Sequence, residues 1–417
     1  MEFFSILFKD AKKESETLSN ANNDPGFFVD LNLNQVIDEI IKGKEEYHLE
    51  QFFYNNLHDI DSINYRLDIM RDLECKDLFN CMVDFSYQLK RMREYLSFSG
   101  DLHNHYQKEK WFLDAVYLYC NAVNDLRFRM SLAKIKSEGL LRFYKWLNEY
   151  ENSEHFVALF SKTKELQTEF NRISYSIQVG KDEVIVSKDE SNSDFCAEIN
   201  KTLQKFSGVQ LNYEIRFFTD LEMCALETKI LEIIRKMNPS VFEMLDSFFK
   251  NNTDFLSNNI IKFDVEIQFY ISYLDYINKL KQKGMHFAYP SISNNKALDI
   301  VDAYDLAFAQ KSLVSHTEVV CNDFYLNNEE RIYIITGPNQ GGKTTFARAF
   351  GQIMFLSMLG CPVPCRKASI FIFDNIYTHF NKEEKLITDY GRLKEELNRL
   401  SKSVKDPLDG WTDCIKM

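Results

Sequence analysis

From about Leu31 to Lys145, apolar residues return every three or four positions with charged residues between them, a pattern that predicts a bundle of helices. In the stripe Ile63, Leu67, Met70 and Leu73 the spacing sets all the apolar side chains on one helix face, while Arg66, Asp68, Arg71 and Asp72 fill other positions. A second helical stretch runs from about Leu140 to Ile173 through Phe143, Trp146, Leu147, Phe156, Leu159, Leu166 and Phe170, as one rod or as two helices. The period then changes. Ser174 to Ser187 alternates apolar and polar residues on either side of a Gly180-Lys181-Asp182 turn, which is a hairpin signal. Helical spacing resumes near Tyr213 and passes Leu221, Leu226, Ile230 and Ile234 to Asn238-Pro239, where proline stops the helix or opens the next one. Phe255 to Lys283 is helical again, and Gly284 to Asn295 reads as a linker with a boundary near Pro290. A helix, a β element and a returning helix fit either an arm with a tip or a compact helical domain with a surface hairpin.

Past residue 295 the texture turns to β. Val319 to Leu326 carries strand signals, and Arg331 to Thr336 reads as a short buried strand. That strand runs into Gly337-Pro338-Asn339-Gln340-Gly341-Gly342-Lys343-Thr344, and the pattern from Thr345 to Leu359 is helical. A strand, then G-x-x-x-x-G-K-T, then a helix is the context that marks a phosphate-binding loop. Gly337, Gly341 and Gly342 let the backbone turn tightly, so that amide N–H groups face phosphate oxygens beside a helix N-terminus. Lys343 supplies a point charge to terminal phosphates, and Thr344 offers a hydroxyl to Mg²⁺, so ATP with Mg²⁺ is the expected ligand.

Composition adds scale and compartment. With 417 residues the chain is long enough for two or three domains, and 14 Gly and 7 Pro are few chain breakers for that length. The formal charge of -12 argues against a surface coated in positive charge for non-specific nucleic-acid binding. Local basic clusters remain at Lys90, Arg91 and Arg93, at Arg127 and Arg129, and at Lys134, Lys136, Arg142 and Lys145. They are solvated helix faces, or they face a sugar-phosphate backbone; Arg127, Arg129, Lys134 and Lys136 are the DNA-contact candidates.

The nine cysteines show no dense even spacing, which suits free thiols in a reducing compartment. The N-terminus lacks a basic export region, and no run reaches the ~18 apolar residues that span a bilayer, so a cytoplasmic protein off the membrane is expected. His103 with His105, and Cys361 with Cys365, each offer a pair of metal ligands where a zinc site needs about four. Glu383, Glu384, Glu395 and Glu396 read as surface charge, and Trp111 and Trp146 as core.

The run Thr336 to Thr345 resembles the Thr-Gly-Pro-Asn-Met-Gly-Gly-Lys-Ser-Thr loop of MutS-family ATPases, the DNA mismatch-repair proteins. Asn322 matches that family's asparagine ahead of the loop, and Gly360-Cys361-Pro362-Val363-Pro364 its Gly-x-x-Val-Pro after the loop helix. The resemblance is specific over about Val319 to Ile376. Upstream it is architectural: Arg66 to Leu73 resembles the start of the core helices, and the arm with its hairpin resembles the lever and clamp.

The resemblance implies a mostly α helical core and lever arm with a small β hairpin, followed by a partial α/β P-loop (ABC-type) ATPase domain. Its divisions would be 1–139 helical core, 140–237 lever with a clamp-like hairpin at 174–187, 238–290 returning core helices and 291–417 ATPase domain. It also implies a nucleotide-gated clamp, homodimeric, on mismatched or branched double-stranded DNA in repair or recombination. Lys343 and Asn339 would serve catalysis. Gly337, Pro338, Asn339, Gln340, Gly341, Gly342, Lys343, Thr344, Thr345 and Asn322 would contact the nucleotide.

The departures are specific. Nothing near the N-terminus supplies the family's Phe-x-Glu mismatch wedge, and Gln340 stands where Met is usual. Asp389 to Leu397 is the nearest match to the serine-rich signature, with Gly391 in place of serine. No apolar strand ending in Asp-Glu follows; Ile370 to Asp374 has the look but continues with Asn375. The ATPase domain is therefore expected to stop before Walker B, which leaves hydrolysis open. An ATP-binding structural or adaptor protein whose arm contacts protein, and a non-functional fragment, stand as alternatives.

Overall fold

The computed structural model describes residues 5–10, 14, 26–179, 184–188, 223–315, 317–338, 341–380 and 414–417. The hairpin turn at Gly180 to Asp182, the helical run expected from Tyr213 through Leu221, and Glu383 through Leu397 lie outside the described residues. In chain order the helices are α1 (Leu33–Ile41), α2 (Glu50–Phe53), α3 (Ile60–Asp72), α4 (Lys76–Asp101), α5 (His105–Leu132), α6 (Glu138–Glu151), α7 (Glu154–Asn171), α8 (Ala225–Met237), α9 (Pro239–Asn251), α10 (Asn258–Lys281), α11 (Leu306–Ser315) and α12 (Lys343–Met358). The strands are β1 (Tyr175–Val179), β2 (Val184–Lys188), β3 (Ser291–Ser293), β4 (Leu298–Ala303), β5 (Asn322–Leu326), β6 (Lys367–Phe371), β7 (Asn375–Tyr377) and β8 (Cys414–Lys416). Helix with small sheets is the expected texture. Among the described residues no helix is long and apolar enough to cross a membrane.

The chain divides into two compact units: Met1–Val83 with Arg129–Trp146 and Ser257–Met417, and Asp84–Phe128 with Leu147–Leu256. In the first, α3 opens behind Asp59, whose carboxylate accepts the Ser62 N–H at 2.8 Å, a cap worth about 1 kcal/mol. Its stripe Ile63, Leu67, Met70 and Leu73 is buried as the period requires. Arg66, which the pattern places among the polar positions, is also fully buried. Its Nε donates to the Leu7 carbonyl at 3.0 Å, and its guanidinium lies over the rings of Phe8 and Phe269. A periodicity argument sees a charge there; it cannot see the carbonyls that distant segments bring.

A mixed sheet in the order β3-β6-β4-β5 belongs to this unit, with β3 parallel to β6 and both β6 and β5 antiparallel to β4. A separate pair joins β7 and β8 in parallel. The segment Arg331 to Thr336 departs from expectation: among the described residues it pairs with no strand, and Ile332 and Ile334 are 78% and 85% exposed. A buried strand needs hydrogen-bonded neighbours and a covered face. Here Tyr333 alone of the run meets aromatic partners among the described residues, Phe324 at 6.2 Å and Phe350 at 6.0 Å.

The helical stretch after Leu140 resolves into two helices, and from Leu147 onward it lies in the second unit. α6 ends at Glu151, and α7 starts behind Ser153, whose hydroxyl accepts the Phe156 N–H at 3.3 Å. The hairpin forms as predicted, Tyr175 opposite Lys188 and Val179 opposite Val184. Pro239 occupies the first turn of α9, where a missing N–H costs nothing. Phe112 meets Phe249 and Phe255 edge-on, and Tyr119 meets Phe255 and Phe156, which makes the interior of this unit aromatic.

Candidate functional site

The glycine loop opens α12, which is buried from Gly351 to Met358 in the first unit. Gly342 is the N-cap of α12 at φ 80, a left-handed conformation that a side chain would strain. Gly341 donates its N–H to the Pro338 carbonyl at 3.2 Å, and a Cβ on it would stand 3.0 Å from that oxygen. The turn therefore needs glycine at both positions. Among the described residues no side chain caps α12, and its first turn holds no acidic residue, so the first-turn amides and the positive end of the helix dipole have no anionic neighbour of their own in that turn.

Lys343 folds back over the loop, with Nζ donating to the carbonyls of Gly337 at 2.5 Å and Pro338 at 2.8 Å. An ammonium carries three donors; these bonds hold it beside the helix start with one donor remaining. Thr344 is exposed, and with Lys343, Phe346, Tyr333 and Phe380 it lines a cleft of about 750 Å³. Glu330, a carboxylate on that lining, accepts the Asn327 N–H at 3.0 Å and so belongs to a turn. Thr345 is half-buried, and Asn339 and Gln340 lie outside the described residues. Asn322 starts β5 opposite Ala303; on the same strand Phe324 packs on Phe346 at 4.4 Å and Phe350 at 5.2 Å, seating β5 against α12.

Sequence reasoning missed what holds α12 in place. Gln352 is fully buried; its Oε1 accepts the Leu306 N–H at 2.7 Å, and its Nε2 donates to the Leu31 carbonyl at 2.8 Å and to Asp305 Oδ1 at 2.9 Å. Arg348 Nε donates to the Asp30 carbonyl at 2.8 Å. At the far end Gly360, at φ 74, closes the helix, and the Leu359 carbonyl accepts from Arg66. The available signal was a lone glutamine beside the apolar run from Ile353 to Leu356, since a buried amide must find partners.

The other candidates fall apart or into pairs. Arg127 makes a forked ion pair with Glu151, Arg129 is half-buried, and Lys134 and Lys136 sit on the turn that follows α5. Asp72 accepts the backbone N–H groups of Lys136 and Ser137 at 2.9 and 2.7 Å, which fixes the turn that carries these lysines. Cys361 and Cys365 are buried, and burial pushes the Cys365 thiol up to about 12 and that of Cys361 higher still, which favours the protonated thiol at both. Trp111 and Trp146 are half-buried, with Trp111 against Tyr95 and Phe98.

A mostly helical protein that sets a glycine-loop helix against a small mixed sheet is the class these features define. Residues 333–408 match the family model of MutS domain V. The DNA mismatch repair protein MutS of Staphylococcus aureus, in strains JH9, Newman and N315, is 31% identical over 136 residues. That match takes in 32% of this chain and 15% of the relatives' length, so the chain spans only a small part of the proteins it matches. On these matches the chain is similar to MutS proteins over about a third of its length, with residues 333–408 resembling their domain V.

Proposed function

We propose that this chain binds ATP with Mg²⁺ at the loop 337–345 and uses it to bias its grip on mismatched or branched double-stranded DNA, as a homodimer in DNA repair or recombination. The observation that carries this reading is Lys343, held by two loop carbonyls at the start of a helix that no described side chain caps. Phosphate oxygens would take the N–H groups of Gly342 through Thr344 and the remaining donor of Lys343. Thr344 would turn its hydroxyl to Mg²⁺, which supplies the positive charge that offsets the phosphates. Gly337, Pro338, Asn339, Gln340, Thr345 and Asn322 complete the nucleotide contacts by resemblance.

The residues of this chain then transmit the event. α12 is tied at Arg348 and Gln352 to the segment before α1, and at Leu359 to α3 through Arg66, so a displacement of its N-terminus acts on the helices of the same unit. Nucleotide shifts a clamp only by its differential affinity for the two states, typically about 1–3 kcal/mol. The test is duplex and mismatched DNA binding at low salt, with and without ATP and Mg²⁺. A nucleotide-dependent change in affinity supports the reading, and equal affinity across all conditions removes the clamp.

The Arg127 pair with Glu151 favours a second reading. A cation already matched contributes less to phosphate binding, as in a nucleotide-binding adaptor whose arm meets protein. Absence of any DNA binding at low salt selects it.

A further inference from the structure

The second unit carries a side-chain cluster that the nucleotide loop does not use. His105 and Glu109 stand one helical turn apart on α5, and Asp246 faces them from α9. His105 Nε2 lies 3.1 Å from Glu109 Oε1 and 3.3 Å from Asp246 Oδ1, and one ligand atom from each residue lies within 4.8 Å of the others. Four donors placed about 2.1 Å from a tetrahedral zinc are about 3.4 Å apart, so these separations already have the edge length of a coordination polyhedron.

Glu109 distinguishes the cluster from a chance meeting of surface charges. Its side chain is 0% exposed, and among the described residues neither carboxylate oxygen receives a hydrogen bond of acceptable geometry. A buried carboxylate is costly, and such groups are normally paired or hold a cation; the basic group beside this one is His105, itself a metal-ligand type. Asp246 turns its other oxygen to Lys250 Nζ at 2.6 Å, which leaves Oδ1 on the cluster side. Of the three residues, His105 also lines a pocket of about 500 Å³, together with His103, Gln107 and Glu232.

We propose that His105, Glu109 and Asp246 form a divalent transition-metal site of the zinc class that staples α5 to α9. One imidazole and two carboxylates suit a borderline cation, and three protein ligands with an open position are a common zinc arrangement. The helices already meet through Tyr106 and Phe242, edge-on at 5.4 Å, so the metal would lock an existing contact.

The full chain, stripped with EDTA, is titrated with Zn²⁺ beside His105→Ala and Glu109→Gln, and separately with Co²⁺. The expected result is one fewer Zn²⁺ bound by each variant than by the parent, a rise of the parent's unfolding midpoint with Zn²⁺ that the variants lack, and a Co²⁺ spectrum without thiolate charge-transfer bands. Equal Zn²⁺ stoichiometry in parent and folded variants overturns the site, as does a Co²⁺ spectrum showing thiolate ligation. His105 is half-exposed, so His105→Ala reads the result even where Glu109→Gln fails to fold.

Discussion

Arg66 on α3 donates through Nη1 to the carbonyl of Leu359 at 3.1 Å, joining a core helix to the residue that caps the glycine-loop helix. The same guanidinium serves Leu7 and lies over the rings of Phe8 and Phe269. Arg66→Ala orphans two buried carbonyls and leaves a cavity, an expected loss of about 3–5 kcal/mol in urea unfolding. Arg66→Lys recovers less than half of it, because an ammonium lacks the planar fork that reaches both carbonyls while stacking. A loss below about 1 kcal/mol for Arg66→Ala would contradict this role.

Gly360 lies against the same helix. A Cβ there would stand 2.7 Å from Arg66 Cβ and 3.0 Å from the Ile63 carbonyl, at φ 74. Gly360→Ala is expected to cost at least about 2 kcal/mol, against about 1 kcal/mol for Gly43→Ala, which shares the positive φ but has nothing within 4 Å. Thermal unfolding of the two variants checks the order, and equal effects would mean that the close approach is unimportant.

Glu266 gives stability a pH dependence. Burial pushes its carboxyl up to about 7, against the opposing hydrogen bonds from Ser5 Oγ and the Ile6 N–H at 2.8 and 2.7 Å. The folded chain then binds a proton that the unfolded chain releases near pH 4.5. This contribution is fully present below about pH 4.5 and is lost as pH rises through about 7, up to about 3 kcal/mol in all. Glu266→Gln is expected to flatten the fall in unfolding free energy between pH 5 and 8; an unchanged slope would assign the dependence to other groups.

For DNA, the lysines of the turn after α5 and the paired arginine give opposite expectations. Lys134→Ala with Lys136→Ala is expected to reduce the slope of log K against log salt by about 2, roughly one unit for each phosphate that is no longer neutralised. Arg127→Ala is expected to leave that slope nearly unchanged and to cost a fraction of a kcal/mol in stability through Glu151. The reverse pattern would favour Arg127 over the two lysines as the proposed phosphate contact.

Much of this was legible from local pattern. The α3 stripe, the hairpin at Tyr175 to Lys188 and the proline start of α9 each follow from period or turn chemistry within a few residues. The glycine loop was legible because its glycines answer to backbone needs visible at Gly341 and Gly342. What escaped depends on distant partners. The burial of Arg66 requires Leu7 and Leu359, the burial of Gln352 requires Leu31, Asp305 and Leu306, and the exposure of Ile332 and Ile334 goes with the lack of strand neighbours among the described residues. His105 was legible as half of a histidine pair, yet its partners in the structure are Glu109 and Asp246 rather than His103.

The central claim is a phosphate site at Lys343, and its most direct measurement is a calorimetric titration of the folded chain with ATP and Mg²⁺ beside Lys343→Ala. The prediction is one nucleotide bound by the parent and binding at least about tenfold weaker in the variant, a loss of at least about 1.4 kcal/mol, with unchanged circular dichroism. No binding by the folded parent, or equal binding by Lys343→Ala, would contradict it.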